Sequence, residues 1–239
     1  MTPTGAGIAG QTWDWLTDPA HYTGSDGVLV RLVEHAAICA VALGIAGAVA
    51  LPVAVWLGHV GRGGALVTSL ANAARAVPVL AVLILFAVGP LGVGTSAAVA
   101  ALVIFAVPPM LTNGYTGVRS VDADARQSAV GMGMSGWQLL TRVEIPLALP
   151  LVAAGVRIAT VQVWATATLA AIVGSGGLGR FIVDGYGVQD YGQVYGGVTF
   201  VAIFAVLLEV GLGGVERWLR RRVGGSSGEP AATPAVAVP

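Results

Sequence analysis

The sequence contains no lysine and little charge of either sign. Only 10% of its 239 residues are charged, and its twelve basic residues, all arginine, balance twelve acidic ones. Hydrophobic residues make up 56% of the chain, which is more than a solvated surface allows. The composition therefore excludes a soluble enzyme or binding domain and predicts an integral membrane protein. A net charge of zero gives no indication of a nucleic-acid partner.

Cysteine is nearly absent as well. A single cysteine, Cys39, excludes an intrachain disulfide, and its apolar neighbours favour a core position. No phosphate-binding lysine, metal-ligand spacing or nucleophile paired with a base is present. His21, His35 and His59 are too far apart in the sequence to indicate a site. We therefore expect no catalytic residue, no bound cofactor and no metal.

The first 31 residues lack the basic stretch of a signal peptide. We expect residues 1–31 to form a segment at the outer membrane surface, where Trp13, Trp15 and Tyr22 lie half-buried among the lipid headgroups. Residues 32–222 then form the transmembrane domain. The tail, residues 223–239, is rich in glycine, alanine and proline without periodicity, which predicts a disordered cytoplasmic end.

Five stretches are long and apolar enough to cross a bilayer, which needs about 20 helical residues. They are residues 32–57, 66–88, 95–115, 146–173 and 194–219. Short cytoplasmic loops accumulate arginine, so the arginines indicate the orientation. A cytoplasmic C-terminus places eight of them inside (Arg62, Arg119, Arg126, Arg142, Arg217, Arg220, Arg221 and Arg222) and two outside (Arg31 and Arg180). We predict an outer N-terminus and a cytoplasmic C-terminus.

The longest predicted cytoplasmic connection, residues 119–146, is called the middle loop below. It reads as two short helices separated by Gly131 and Gly133. The first has Ser120 or Asp122 as a candidate N-cap. The second opens on "SGWQ", in which Ser135 and Gln138 match a capping box. We expect one face, formed by Trp137, Leu140 and Val143, to be buried in a groove of another protein or in the lipid headgroup layer. The helix is expected to end before Pro146.

The middle loop resembles the cytoplasmic loop of ATP-binding-cassette importer permeases. That pattern reads E-A-A, three residues, G, nine residues, I, one residue, L-P, and here it falls on Gln127, Ser128, Ala129, Gly133, Val143, Ile145 and Pro146. Gln127 and Ser128 depart from the usual glutamate and alanine, and glutamine at the first position keeps a hydrogen-bonding group but removes the charge. The resemblance implies that this loop, including Gly131, Ser135, Trp137 and Leu140, docks on an ATPase subunit.

Other segments look like the membrane subunits of osmoprotectant importers, which carry glycine betaine, choline or carnitine. They are "LTDPAHYTGSDG", "NAARAVPVLAVL", "TATLAAIVGSGGLGRFI" and "YGGVTFVAIFAVLLEVGLGGVERWLRR". The resemblance implies an all-α, five-span permease fold with cytoplasmic coupling helices, located in the cytoplasmic membrane. It also implies a separate ATPase that consumes the ATP, a second permease copy or paralogue, and an extracytoplasmic substrate-binding protein.

Two alternatives remain open at this point. A permease for methionine or polar amino acids would share the same fold. An ion-coupled secondary transporter would need internal repeats and several intramembrane acids, which the chain does not show.

Three charged residues within the predicted spans are candidates for packing or gating, because an ion at this depth needs a partner. Arg157 and Glu209 fall at similar predicted depth, and Arg75 is a rival partner for Glu209.

The outer loop contains four closely spaced glycines, Gly174, Gly176, Gly177 and Gly179, and we expect it to re-enter the membrane or to cap the outer mouth. Small residues, such as Ala42, Ala46 and Ala50 or the glycines at 211, 213 and 214, suit either packing within the chain or contact with a second permease.

Overall fold

The structure is a computed structural model that describes residues 7–224. The side chain of Arg75 and nearly all of the predicted tail lie outside the described part of the chain. The ten α-helices that it shows are α1 (Ile8–Thr17), α2 (Val28–Val60), α3 (Gly64–Ala76), α4 (Val79–Val88), α5 (Thr95–Arg119), α6 (Ala123–Gly131), α7 (Gly136–Leu139), α8 (Ile145–Thr166), α9 (Gly179–Gly187) and α10 (Tyr191–Gly224). Short 3-10 helices cover Pro19–His21 and Ala167–Val173.

The core forms where α2 packs along α5. Ala42, Ala46, Ala50 and Ala54 of α2 recur every four residues, share one face of the helix and are at most 1% exposed. A Cβ atom at Gly114 of α5 would lie 2.8 Å from the Cβ of Ala54, so the two backbones meet at a separation that only small residues allow. The alanine stripe therefore serves packing within the chain.

The second predicted span is not a straight helix. It is broken into α3 and α4, which meet at an angle of 81°. Pro78 precludes the α conformation of Val77, whose ψ of 125° is extended, and then caps α4. Four helices in the described residues are long and apolar enough to cross a membrane, and counting the broken pair as one span gives five. The five predicted spans agree with this second count.

The predicted helix end before Pro146 is wrong. The chain stays helical from Gly136 to Val173, through a wider π turn at Leu140–Glu144. In this turn the amide of Ile145 donates to the carbonyl of Leu140, five residues earlier. Pro146 then occupies the first turn of α8, where a missing N–H group is tolerated. Span four and the second loop helix are thus one continuous element, and the loop reaches directly into the membrane.

The N-terminal segment is anchored more deeply than its composition indicated. Trp15 is only 6% exposed and its ring lies 5.3 Å from that of Phe181, in an edge-on contact. Gly196 of α10 lies against the Trp15 ring and leaves no room there for a side chain. Trp13, by contrast, is exposed. The expectation of half-buried headgroup tryptophans is therefore wrong for Trp15, which packs α1 onto α10.

Gly155 provides a test of the packing between α5 and α8. A Cβ atom there would lie 2.7 Å from the Cβ of Asn113 and 2.9 Å from the carbonyl oxygen of Pro109. Gly155→Ala is expected to destabilise the protein by about 1–3 kcal/mol, because the helices must move apart. Gly44→Ala, within α2, is the matched control, since nothing lies within 4 Å of the added atom. Thermal unfolding in detergent should show a lower Tm for the first variant alone. Equal Tm values would contradict the close contact.

Candidate functional site

The middle loop forms the two predicted helices, α6 and α7, with a turn between them. Asp122 caps α6 by accepting hydrogen bonds from the amides of Asp124 and Ala125, at 2.7 and 3.1 Å. Gly133 has a φ of +83°, which favours glycine. The capping box is present: Ser135 N donates to Gln138 Oε1 at 2.8 Å, and Gln138 N donates to Ser135 Oγ at 3.3 Å. The sequence prediction of a glycine hinge between two capped helices is confirmed.

The exposed surface of the middle loop is apolar around this hinge. Val130, Met132 and Trp137 are 57%, 72% and 71% exposed, while Leu140 is buried. Trp137 and Leu140 were expected to share a face that is covered by another protein or by the headgroup layer; Trp137 is open to such contact, whereas Leu140 is already buried within the chain. Exposed apolar side chains clustered on a short loop are typical of a surface that binds another protein. We call Val130, Met132 and Trp137 the hinge patch.

The motif residues of the loop divide between this surface and the interior. Gln127 and Ser128 are exposed, whereas Ala129 is 2% exposed and packs α6 against the bundle. Val143, Ile145 and Pro146 are half-buried. The first two motif positions therefore face outward, so the substitutions at Gln127 and Ser128 change the surface and leave the internal packing unaffected.

Glu144, which was not among the residues predicted from the sequence, is completely buried at the π turn. Its Oε2 lies 2.6 Å from Nδ1 of His59 and its Oε1 lies 2.9 Å from a guanidinium nitrogen of Arg126. Arg126 also donates a hydrogen bond to the carbonyl of Val118. A buried carboxylate is stable only with such partners. An acid beside Pro146 in an apolar stretch was the available signal, but its partners lie far away in sequence.

Glu144 therefore connects three elements at the loop end of the bundle. His59 is in the last turn of α2, Arg126 is in α6, and Glu144 joins α7 to α8. The view of His59 as an isolated histidine is wrong, since the fold brings it to a carboxylate. These contacts join α6 to the ends of two membrane helices.

Of the charged residues within the spans, Arg157 of α8 and Glu209 of α10 form an ion pair. Nε of Arg157 also lies 3.0 Å from Oε2 of Glu216, whose Oε1 accepts a hydrogen bond from Arg220 at 2.8 Å. The side chain of Glu209 is 47% exposed, against 10% for Glu216. Sequence reasoning missed Glu216 because it lies close to the arginine-rich end of the span. The side chain of Arg75, the rival partner, lies outside the described residues.

The glycine-rich loop, residues 174–179, is held at the opposite end of the bundle. Gly177 N donates to Oε2 of Glu34 at 2.9 Å, and Gly176 lies so close to this carboxylate that a Cβ atom would overlap it. Gly174 and Gly177 have φ values of +75° and +96°. Gly179 is buried against the backbone of Thr168. The loop is therefore an anchored structure that requires glycine at several positions.

Neighbouring polar groups strengthen this anchor. Ser175 is 1% exposed, with its hydroxyl 3.2 Å from that of Thr95. His35 is fully buried beside Gly177, and its Nε2 lies 3.0 Å from the carbonyl of Trp164. The starts of α2 and α5 thus hold the loop, through Glu34 and Thr95. Whether it caps a transport path stays a prediction.

Gly176→Ala tests this anchor. The added methyl is expected to displace Glu34 and to break its hydrogen bond to Gly177, which exposes the buried position 175. We expect a cysteine at Ser175 to resist a water-soluble maleimide in the parent protein and to react when Gly176→Ala is added. Gly187→Ala is the matched control, because nothing lies within 4 Å of its added atom. Equal labelling in all three backgrounds would contradict an anchored loop.

The capped loop helices and the anchored glycine-rich loop occur in a chain that matches a known family. The model of the family described as "Binding-protein-dependent transport system inner membrane component" matches residues 48–225. The chain belongs to this family. It is therefore a multi-pass membrane permease that works with a substrate-binding protein and an ATPase subunit. The permease itself is not an enzyme, and ATP hydrolysis belongs to the separate subunit.

Among its relatives, the permease is similar to two osmoprotectant permeases. It is 36% identical to the glycine betaine/carnitine/choline transport system permease protein OpuCB of Bacillus subtilis, over 80% of this chain and 87% of that protein. It is 40% identical to the carnitine transport permease protein OpuCB of Listeria monocytogenes, over 79% of this chain and 86% of that protein. Both matches extend over most of the transmembrane domain.

The fold of the permease is also found among solved structures. The MetNI methionine transporter in an inward-facing conformation matches with a TM-score of 0.68, over 80% of this chain and 96% of that chain, at 24% sequence identity. This likeness shows the fold alone. The expectation of an all-α ATP-binding-cassette importer permease fold is confirmed.

Proposed function

We propose that this permease imports a quaternary-amine osmoprotectant, such as glycine betaine, carnitine or choline, across the cytoplasmic membrane by alternating access. The observation that supports the proposal is the identity of 36–40% to permeases named for these compounds, over about 80% of the chain. The alternative, a methionine permease, is supported by the likeness in fold to MetNI at 24% identity. This support is weaker than the identity to the osmoprotectant permeases.

The middle loop is the proposed docking surface for the ATPase. The hinge patch offers an exposed apolar surface next to the two capped helices, and Glu144 connects that surface to the spans. Short amphipathic helices that insert into a groove of a partner use anchors of this kind. ATP is bound and hydrolysed by the partner, so the energy enters this chain as a displacement of α6 and α7.

This function requires the middle loop to lie in the cytoplasm. Eight of the ten arginines outside the predicted span interiors fall on that side when the C-terminus is cytoplasmic. The glycine-rich loop then lies at the extracytoplasmic end, where a binding protein delivers its substrate. We therefore propose that the N-terminus is outside and the C-terminus inside.

A second permease, identical or paralogous, completes the path in this proposal. Glu209 is half-exposed in the middle of α10, and a charge at that depth is costly against lipid. Gly211 and Gly214 on the same helix have open space beside them. In this proposal the carboxylate of Glu209 faces water in a path shared by two permeases, or contacts the neighbouring permease, and so avoids the lipid.

The test of the function is uptake by proteoliposomes that contain the permease, its ATPase and its binding protein. We expect accumulation of radiolabelled choline, carnitine or glycine betaine when ATP is supplied on the ATPase side, and none with a non-hydrolysable analogue. Methionine serves as the competing substrate. Accumulation of methionine with none of the three quaternary amines would contradict the proposal, as would uptake driven by an ion gradient without ATP.

A further inference from the structure

A cavity of about 260 Å³ opens between α3, α5 and α8, within the membrane-spanning part of the bundle. Its described lining consists of uncharged side chains: Ala74, Phe105, Pro108, Pro109, Ile158 and Gln162. The volume is close to the lower limit of ligand pockets, which run from about 300 to 1,000 Å³. The cavity is therefore of a size for a small molecule.

The cavity lies where α5 is short of backbone donors. Pro108 and Pro109 have no N–H groups, so they cannot form the helical bonds to the carbonyls of Ile104 and Phe105. Of these two residues, Phe105 lines the cavity together with the prolines and Ile104 does not, so the carbonyl of Phe105 is the one that lies at the cavity. A carbonyl without a donor at membrane depth is tolerated beside a wet or ligand-filled space. Pro109 thus leaves a carbonyl oxygen free at the cavity.

The shape of the cavity follows from Gly155. At this residue the backbone of α8 lies against Pro109 and Asn113, with no space for a Cβ atom. One to two turns further along α8, Ile158 and Gln162 line the open space instead. Gln162 is exposed although it belongs to a membrane span. An exposed amide is costly against lipid, which indicates that this face borders a polar path.

We propose that this cavity is a substrate subsite that binds the trimethylammonium head group during passage through the membrane. The inference rests on the proposed function and adds the site to it. A quaternary ammonium has no N–H to donate, so it is recognised by oxygen dipoles and by aromatic faces. The freed carbonyl of Phe105, the amide oxygen of Gln162 and the Phe105 ring together provide both. The absence of an ionised group among the described lining residues suits transient binding, because a substrate that passes through must also leave.

Substitutions in the complete transporter test the subsite. Phe105→Leu removes the ring and Gln162→Met removes the amide, each at similar volume. We expect each variant to raise the concentration of choline that gives half-maximal ATP-driven uptake by about tenfold, with wild-type levels of basal ATP hydrolysis. Phe86→Leu is the matched control, because Phe86 lies on α4 outside the cavity and should leave uptake unchanged.

A labelling experiment gives a readout that is independent of uptake. A cysteine at Ile158, which is 45% exposed, is treated with a thiol reagent that carries a trimethylammonium group. We expect rapid reaction that choline slows several-fold, whereas reaction of a cysteine at Val206, outside the cavity, is unaffected by choline. The wild-type protein controls for reaction at the buried Cys39.

The outcomes separate the subsite from the function. Wild-type uptake of a quaternary amine, together with unchanged half-saturation in both variants and no protection of position 158, would overturn the subsite and leave the function standing. Failure of wild-type protein to take up any of the three compounds would overturn both. Loss of folding in the variants is detected by their basal ATP hydrolysis, and the labelling result then decides.

Discussion

Glu144→Ala is expected to give the largest loss of stability of any single substitution in the middle loop, about 3–5 kcal/mol. Glu144 is fully buried, and its removal leaves His59 and Arg126, each with a side chain 20% exposed, without their carboxylate. We expect a clearly lower Tm in detergent and loss of ATP-driven uptake. Asp124→Ala is the matched control, because Asp124 is an exposed acid on the same loop.

The double variant Glu144→Gln with Arg126→Gln separates a charge effect from a shape effect. If the ion pair matters, the two substitutions together should cost less than the sum of the single costs, because each single variant leaves one charge of the pair without its partner and the double variant removes both charges. A Tm for Glu144→Ala equal to that of Asp124→Ala would contradict a connecting role for this residue. Additive costs in the double variant would show that the two groups do not interact.

Reversal of the charge at Arg157 is the second large effect that we expect. Arg157→Glu would place a third carboxylate beside Glu209 and Glu216 within the membrane, and we expect uptake to fall by about tenfold or more. Adding Glu209→Arg restores an opposite pair and should recover part of the uptake. Arg221→Glu, an exposed reversal in the last turn of α10, is the control with little expected effect.

The double reversal also tests which role the pair has. Recovery of both Tm and uptake would support a packing role. Recovery of Tm without uptake would support a role in gating. Uptake and Tm in the double variant that are no better than in Arg157→Glu alone would show that the contact between Arg157 and Glu209 contributes to neither.

The sequence predicted well the features that depend on local pattern. The span positions follow from runs of apolar residues, and the caps at Asp122 and Ser135 follow from residues only two or three positions apart. Gly133 was predicted as a hinge because a glycine between two helical patterns commonly adopts positive φ, and its φ is +83°. These features need no information about the rest of the fold.

The features that sequence reasoning missed depend on contacts between distant segments. Glu144 and His59 are 85 residues apart, and nothing in either neighbourhood indicates the other. Trp15 is of a residue type that is common among lipid headgroups, but it packs on Phe181 within the protein. Pro146 was expected to end a helix, because the rule applies to a regular α-helix and does not anticipate the π turn before it. In each case tertiary packing overrides a valid local preference.

The glycine-rich loop lies between these two cases. Its density of glycine indicated an irregular backbone, and Gly174 and Gly177 do have positive φ, while a re-entrant or capping role stays a prediction. The residue that holds it, Glu34, lies 143 positions away and was not among the candidates. The pattern thus located the irregular backbone but did not identify its partner.

The most direct test of the coupling between this permease and its ATPase subunit is a photo-crosslink from position 137. A benzophenone amino acid replaces Trp137, which is 71% exposed in the hinge patch, in the purified complex with ATPase and binding protein. We predict a crosslink to the ATPase subunit, with a yield that changes between the ATP-bound and nucleotide-free states. The same probe at Val206 should give none. Absence of an ATPase crosslink from position 137, in a complex that transports its substrate, would contradict the account.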